Sequence, residues 1–465
     1  MSNEALPSYL SMAKPNPPSN RAPWYKNTAP SYAGIFLWFV FWSQAPSGGG
    51  AVPGGTLAQG VGTALLGLVV AALICHFLFY LVPGMLGMKT GLPLYVVGSS
   101  TYGTQGGFLM PGFLMGVLQF GWLGVNAYFA AVALAPLFGG SLVAQNIIAI
   151  VWAVLAGFVG LKGIQYVAKV GTLVPIIPVA ILVILLVKTI GGVGSFDAAQ
   201  FVAAGAPEGA EAAGLSFFGV IALSITFVVG FFATAGAAGV DFGTNSIDGK
   251  DVQMGGLVGV ALTGIIAAGA ALLIAAGAFG NTGTYAMNPT DPGFMGTVMG
   301  STGAGNTMAL LLAAAAFPSA CFSSFIAANS FKTTLPKINP FVSVGLGVLV
   351  AIILAVTGWA GQAGSVFTVI GASFGPICGA MMVDYLLSGK KWSGPRQGWN
   401  LAGWISWAVG FVVGIAPLVG LANIPAAPLV AFIVGAVIFF VLAKAGLQPP
   451  VVEMPGQETA AAAEA

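Results

Sequence analysis

The sequence predicts an all-α polytopic membrane protein of about twelve spans, built as two inverted halves of five with two further helices. Three observations carry this. Of 465 residues, 57% are hydrophobic and only 6% charged, with mean hydropathy +0.96; a water-facing domain carries about 25% charged residues. Apolar stretches close to the ~20 residues that cross hydrocarbon recur along the whole chain. Two of these stretches are interrupted, and they stand first and sixth in the order.

The spans fall at 31–52, 60–84, 108–137, 143–162, 170–190, 214–240, 254–280, 305–331, 339–358, 362–388, 400–420 and 424–445. Several exceed the minimum length, which fits tilted or broken helices. The first interruption is read at Phe41-Trp42-Ser43-Gln44-Ala45-Pro46-Ser47-Gly48-Gly49-Gly50. The second is read at Gly230-Phe231-Phe232-Ala233-Thr234-Ala235-Gly236-Ala237-Ala238-Gly239. A helix broken inside a bilayer frees backbone groups that lipid cannot satisfy, so it survives only around a protein-enclosed cavity. Paired breaks in corresponding positions of two halves imply an alternating-access transporter with its site at the breaks. The organisation is then a cytoplasmic tail over 1–30, a first repeat over 31–190, a second over 214–388, accessory spans over 400–445 and a cytoplasmic tail over 446–465.

Charge sets the orientation. With the N-terminus in the cytoplasm, Lys14, Arg21, Lys26, Lys89, Lys162, Lys169, Lys250, Lys332, Lys337, Lys390, Lys391, Arg396 and Lys444 all fall inside, and of the 14 basic residues only Lys188 falls outside. The positive-inside bias predicts this partition for a multi-pass protein of the inner (plasma) membrane with both termini cytoplasmic. Asp197, Glu208, Glu211 and Asp291 lie in external loops. The polar opening stretch reads as an uncleaved tail, and Glu458–Glu464 as a disordered one. Dispersed basic residues argue against nucleic acid as a partner. Cys75, Cys321 and Cys378 each lie in an apolar run, with neither disulfide nor metal spacing. Phosphate loops, metal-protease patterns and hydrolytic acid pairs are absent from the sequence, so no enzyme is expected.

Polar residues inside spans are the candidates for chemistry. Gln119, Trp122 and Asn126 share one face of span 3. An indole to stack on and an amide to read an edge suit a planar polar ligand; helix-to-helix hydrogen bonding is the plainer alternative, above all for Asn126. Phe231, Phe232 and Thr234 belong to the span 6 interruption, with a glycine packing seam as the alternative. In span 8, Ser319 and Ser323 share a face and Ser324 is adjacent. These hydroxyls either bond their own helix or complete a cation site with carbonyls of the span 1 break. His76 reads as a hydrogen-bonded structural residue, and Asp241 and Asp384 as caps or loop contacts. With no carboxylate at mid-span, a sodium site of neutral oxygens is favoured over a proton relay.

At these residues the chain resembles the nucleobase:cation symporter-1 (purine–cytosine permease) family, and within it cytosine permease. The likeness covers most of spans 1 to 10. It is carried by Gly87-Met-Lys89-Thr90-Gly91-Leu92, by Gln119-Phe-Gly121-Trp122-Leu-Gly124, by Val229–Gly236 followed by Asp241-Phe242, and by Asp384-Tyr385-Leu386. The resemblance implies the leucine-transporter fold, a small heterocyclic substrate, and sodium as coupling ion with no other cofactor. By matching position, Gln119 would hydrogen-bond the ring, Trp122 would stack on it, Phe232 would cover its other face and Thr234 would add a hydroxyl. Ser323 and Ser324 match a threonine pair that holds sodium, with carbonyls of Trp38 and Phe41 as partners. The chain departs from the pattern at Ala320, where an asparagine is expected and Ser319 or Asn126 would have to substitute, and at Ser99, which replaces an arginine. Cytosine itself is thereby put in question. Alternatives are a proton-coupled symporter, one for an amino-acid-like solute, and an uncoupled channel. The sequence sets no oligomeric state and is compatible with a monomer.

Overall fold

A computed structural model describes residues 6–162, 165, 171, 173–209 and 213–454. Lys169, Val170, Thr172, Glu211 and the Glu458–Glu464 stretch lie outside the described residues. Among the described residues, nine helices are long and apolar enough to cross a membrane. They are span 2 (Gly60–Thr90), span 3 (Phe108–Phe138), span 4 (Leu142–Lys162), span 5 (Ile176–Ser195), span 6a (Phe217–Ala237), span 7 (Gly249–Thr282), span 8 (Thr302–Thr334), span 10 (Ala363–Leu387) and span 12 (Ala427–Lys444). Spans 9 (Pro340–Val356) and 11 (Leu401–Ile415) are shorter apolar helices. Span 1 is two pieces, 1a (Thr28–Leu37) and 1b (Phe39–Ser43), and Gly239–Gly243 forms span 6b. This is a multi-pass membrane protein.

The first break lies before the string read for it, and the second falls at the very end of its string. Span 1 breaks at Trp38, whose φ −58°, ψ 124° is extended rather than helical. Nothing in the residue type forces this: the carbonyl released at Leu37 is taken by the Trp42 indole N–H, donating at 3.3 Å. The Gln44–Gly50 stretch is instead the turn beyond span 1b, where Gly48 and Gly49 adopt φ of 64° and 74° and Gly364 N–H donates to the Gly49 carbonyl at 2.8 Å. Span 6 runs unbroken through Gly230 and Gly236 to Ala237 and is interrupted at Ala238. Those two glycines are packing seams: a β-carbon at Gly230 would strike the Phe367 carbonyl of span 10, and one at Gly236 would strike Phe79 of span 2. The carbonyl exposed near the true break, Ala235, accepts from the Tyr32 hydroxyl at 2.9 Å.

Packing separates two groups of helices. Spans 3, 4, 8 and 9 pack on one another around Phe120, Leu123, Ala153, Ala320 and Val348. Span 1a lies on span 7, while spans 2, 6a and 10 pack together and span 10 is covered by spans 11 and 12. Spans 2 and 7 each contain a π turn, Cys75–Tyr80 and Leu257–Leu262, and meet there. Such turns leave the regular i, i+4 ladder and often sit at functional places. His76, expected to be hydrogen-bonded, is buried in this junction with Nδ1 unpartnered, because Gly256 of span 7 presents no side chain to it.

The terminal segments are docked on one face. Tyr9 donates its hydroxyl to the Thr104 carbonyl at 2.7 Å, Asn16 N–H donates to the Gly91 carbonyl at 2.8 Å, and the Asn16 amide donates to the Thr244 carbonyl at 3.0 Å. Ala22 N–H reaches the Asn245 carbonyl at 2.9 Å just before span 1a begins. At the other end, Val452 N–H donates to the Pro395 carbonyl at 2.7 Å, beside an Arg396–Asp384 ion pair of 3.4 Å. Asp241 accepts from Leu94 N–H at 2.9 Å, so both carboxylates hold loops, as read.

Gly87 permits the closest approach of spans 2 and 6b, since a β-carbon there would overlap the Val240 carbonyl. Gly87→Ala should therefore lower stability by about 1–3 kcal/mol through overpacking. Gly121→Ala, with open space around it, should leave the thermal midpoint of the purified protein unchanged or raised.

Candidate functional site

Between the two helix groups lies a cavity of about 1210 Å³. It enters from the face that carries Lys26, Lys332 and Thr333 and ends against Trp38, Gln119, Trp122 and Phe231. Span 1a and span 6b form one wall, and spans 3 and 8 the other. One-sided access to mid-bundle follows from the packing on the far side, where Phe41 stacks on Phe227 (centroids 5.5 Å, 9°) and Trp122 and Phe231 both meet Phe367 at 5.4 Å. These rings fill the space between spans 1b, 6a, 3 and 10.

The inner end is aromatic. Trp122 stands edge-on to Trp38 (5.9 Å, 71°) and to Phe231 (5.2 Å, 79°), and Trp38 lies 6.2 Å from Phe231 at 31°. The Trp122 indole N–H donates to the Thr234 hydroxyl oxygen at 3.1 Å, which fixes the ring across spans 3 and 6a. Gln119 reaches into the same space, 8% exposed, and its only partner among the described residues is a weak contact from Nε2 to Met115 Sδ at 3.6 Å. Its carbonyl oxygen accepts from no group among the described residues, so one amide with both a donor and an acceptor to offer lines the cavity.

Phe232, expected to cover a ligand, does not reach the cavity. It is fully buried one position round the helix, stacked on Phe36 (5.5 Å, 15°) and touching Tyr32. Because span 6 stays helical here, Phe231 and Phe232 point about 100° apart and only Phe231 reaches the site. Asn126 lies deeper and is committed to the fold. Its amide donates to the Ala316 carbonyl at 3.1 Å and the Ser319 hydroxyl at 2.9 Å, and its oxygen accepts from the Trp152 indole at 2.9 Å. Ser319 in turn donates to Ala316 at 2.7 Å. This knot ties spans 3, 4 and 8. Ala320 lies in the apolar seam beside it, away from the cavity.

The expected cation donors stand apart. Ser323 lines the cavity, but Ser324 is fully buried against Gly160 of span 4, its hydroxyl 3.5 Å from the Ala320 carbonyl of its own helix. The Trp38 and Phe41 carbonyls accept from Phe41 and Gln44 N–H groups at 3.0 and 3.3 Å. Trp38 and Ser323 line the same cavity, and Phe41 and Ser324 do not. Two site features escaped the sequence reading. The Trp38 side chain was passed over because no glycine or proline marks its break. Trp152, an indole in an apolar span, carried a usable signal: a buried indole N–H seeks an acceptor.

No protein-family profile and no curated protein matches the sequence. Solved structures do. The chain is similar to Mhp1 in an inward-facing conformation, with TM-score 0.69 and 16% identity over 96% of this chain and 98% of that one. It is also similar to Mhp1, described as a nucleobase-cation-symport-1 family transporter, in a closed conformation with bromovinylhydantoin bound; there the TM-score is 0.62 and the identity 16%, over 93% and 95% of the chains. A Na+-coupled sialic acid symporter, substrate-bound and outward-open, gives TM-score 0.53 and 15% identity over 94% and 92%. At these identities the likeness establishes the fold. The chain has the leucine-transporter fold, with helices 1 and 6 broken.

Asn126→Leu should lower stability by about 1–3 kcal/mol, since it strands the Trp152 N–H and cuts the tie between spans 3 and 8. Gln119→Leu, which removes an amide with almost no protein partner, should change stability by no more than about 0.5 kcal/mol. Thermal denaturation of both variants checks the contrast.

Proposed function

We propose that the protein is a secondary active transporter that takes up a planar nitrogen heterocycle, a nucleobase or hydantoin-like ring, by sodium symport and alternating access. The observation that carries this reading is the inner end of the cavity: a Gln119 amide whose only partner among the described residues is the Met115 sulfur, beside the Trp122 ring and walled by Trp38 and Phe231. Stacking supplies sequence-tolerant affinity for a flat ring, and one amide donor and acceptor pair fixes its edge. Trp122 provides the stacking face, Thr234 holds that ring in place, and Phe231 takes the role first read for Phe232. Asn126 and Ser319 shape the floor through their hydrogen-bonded knot.

The basic residues put the open mouth of the cavity on the cytoplasmic side, so this arrangement is the inward-open state, in keeping with the likeness to inward-facing Mhp1. Coupling to sodium is supported by the absence of a mid-span carboxylate and by hydroxyl and carbonyl oxygens on both walls. Ser323 on one side and the Trp38 and Phe41 carbonyls on the other are the donor set, with Ser324 behind them; hard cations take such ligands. Closing span 1a onto span 8 would unite them, and that is how ion binding would favour the state that binds solute. An amino-acid-like substrate is disfavoured, because helix ends aimed at a carboxylate are not what lines this pocket.

Uptake of radiolabelled uracil, cytosine, hypoxanthine and hydantoin into proteoliposomes tests the proposal. Accumulation should require an inward sodium gradient; accumulation that ignores sodium and collapses with a proton uncoupler would sink the sodium assignment. Equilibration without accumulation under either gradient would mark a facilitator. Trp122→Ala should weaken binding of the transported ring by about 1–3 kcal/mol, the usual worth of one stacked base; unchanged binding would remove Trp122 from the site.

A further inference from the structure

The cavity carries its charge only at the mouth. Among the described residues that line it three are charged, Lys26, Asp241 and Lys332, and all three are exposed. Lys26 stands two residues before span 1a and Asp241 lies in span 6b, so both belong to one wall. Lys332 is in the last turn of span 8, on the other. None of them is paired here: among the described residues the ion pair is that of Arg396 with Asp384. Asp241 uses one carboxylate oxygen, which accepts from Leu94 N–H at 2.9 Å, and its other oxygen has no partner among the described residues.

One short helix, Leu94–Val97, already touches both walls at this level. Its first residue holds Asp241. The next, Tyr95, meets Thr334 of span 8 over Gly112 of span 3, where a β-carbon would lie 3.2 Å from Tyr95 and 3.4 Å from Thr334. Asp241 and the end of span 8 are therefore neighbours through two residues of that helix. Closing the mouth carries Lys26 toward Lys332 in a space that loses water as it narrows. Like charges repel more strongly as the dielectric falls, and a charge stripped of water without a partner is costly. Asp241 is the one carboxylate among the described residues of the mouth that can offset this. The far side of the bundle needs no such device, because its seal is the stacking of Phe41 on Phe227.

We infer that Asp241 is the counter-charge on which the cytoplasmic mouth closes: its free oxygen pairs with Lys332 when spans 1a and 6b swing onto span 8, a latch that stands open in this structure. The inference rests on the alternating-access reading given above and is independent of which solute is carried.

Labelling tests it without a substrate. Ala315 of span 8 lines the cavity and the native Cys75, Cys321 and Cys378 are buried, so Ala315→Cys reports access through the mouth to a neutral, water-soluble maleimide. Asp241→Asn keeps an acceptor for Leu94 N–H and removes the charge, leaving the two lysines to face each other. In the Ala315→Cys parent it should speed labelling at least about threefold, the effect of an ion pair of ordinary surface strength. In proteoliposomes it should slow the uptake of uracil or hydantoin. Adding Lys332→Gln removes the repulsion and should bring both rates back toward the parent, a recovery that a merely structural role in holding Leu94 does not give. Asp241→Asn that labels and transports like the parent, or a defect that Lys332→Gln does not relieve, overturns the latch while the transport reading stands. Faster labelling with recovery, in a protein that takes up neither ring, keeps the latch and overturns the heterocycle reading. Thermal midpoints establish that the variants are folded. Should Asp241→Asn fail to fold, the parent alone decides: choline chloride screens the pair and should speed labelling, and a rate indifferent to it overturns the latch.

Discussion

Two side-chain donors hold the centre of this molecule together. Trp42 donates to the Leu37 carbonyl and Tyr32 to the Ala235 carbonyl, and each lies beside the point where a transmembrane helix stops being helical. In hydrocarbon a carbonyl left without a donor costs several kcal/mol. These two contacts are therefore what permit breaks to exist at all, and the cavity exists because the breaks do. Both donors are aromatic, so each also fills space: Tyr32 packs against Phe232 and Phe242, and Trp42 is wholly buried.

Around that centre, polar side chains divide into those the fold has used and those it has not. Asn126, Ser319 and Trp152 close on one another, and Thr234 closes on Trp122. Burial in low dielectric makes such satisfied networks rigid, and they stiffen the wall formed by spans 3, 4 and 8. Gln119 of span 3 and Trp38 of span 1 face the same cavity from its two walls.

Much of this was legible in the sequence. Apolar length gave the spans, because it reflects the solvent directly. Gln119 and Trp122 were legible as a pair because helical spacing alone puts them on one face. The first break was misplaced and the second drawn too wide, for a physical reason. Gly230 and Gly236 looked like part of an interruption that is confined to Ala238, yet span 10 and span 2 press on them, and a glycine serves close approach as readily as it serves bending. Trp38 is broken by contacts from Trp42, five positions on from the carbonyl it caps, and no single-residue signal announces that. Both Phe231 and Phe232 were candidates and the covering role fell to Phe232 by family resemblance alone; only the helical angle between neighbours separates them. Ser324 was beyond sequence reasoning, because its face is decided by the Gly160 groove in span 4.

The docked N-terminal segment gives span 1a a second attachment. Residues from Tyr9 to Ala22 are pinned to the loops at Gly91, Thr104 and Thr244–Asn245, and span 1a begins six residues after Ala22. In the transport cycle proposed above, a helix hinged at Trp38 and tethered at its outer end would behave as a sprung door rather than a free flap. The stiffness of that spring would be set by tail contacts each worth only about 0.5–1.5 kcal/mol. The pace of the transition would then be adjustable by substitutions in a polar tail, away from the cavity and without altering what the pocket selects.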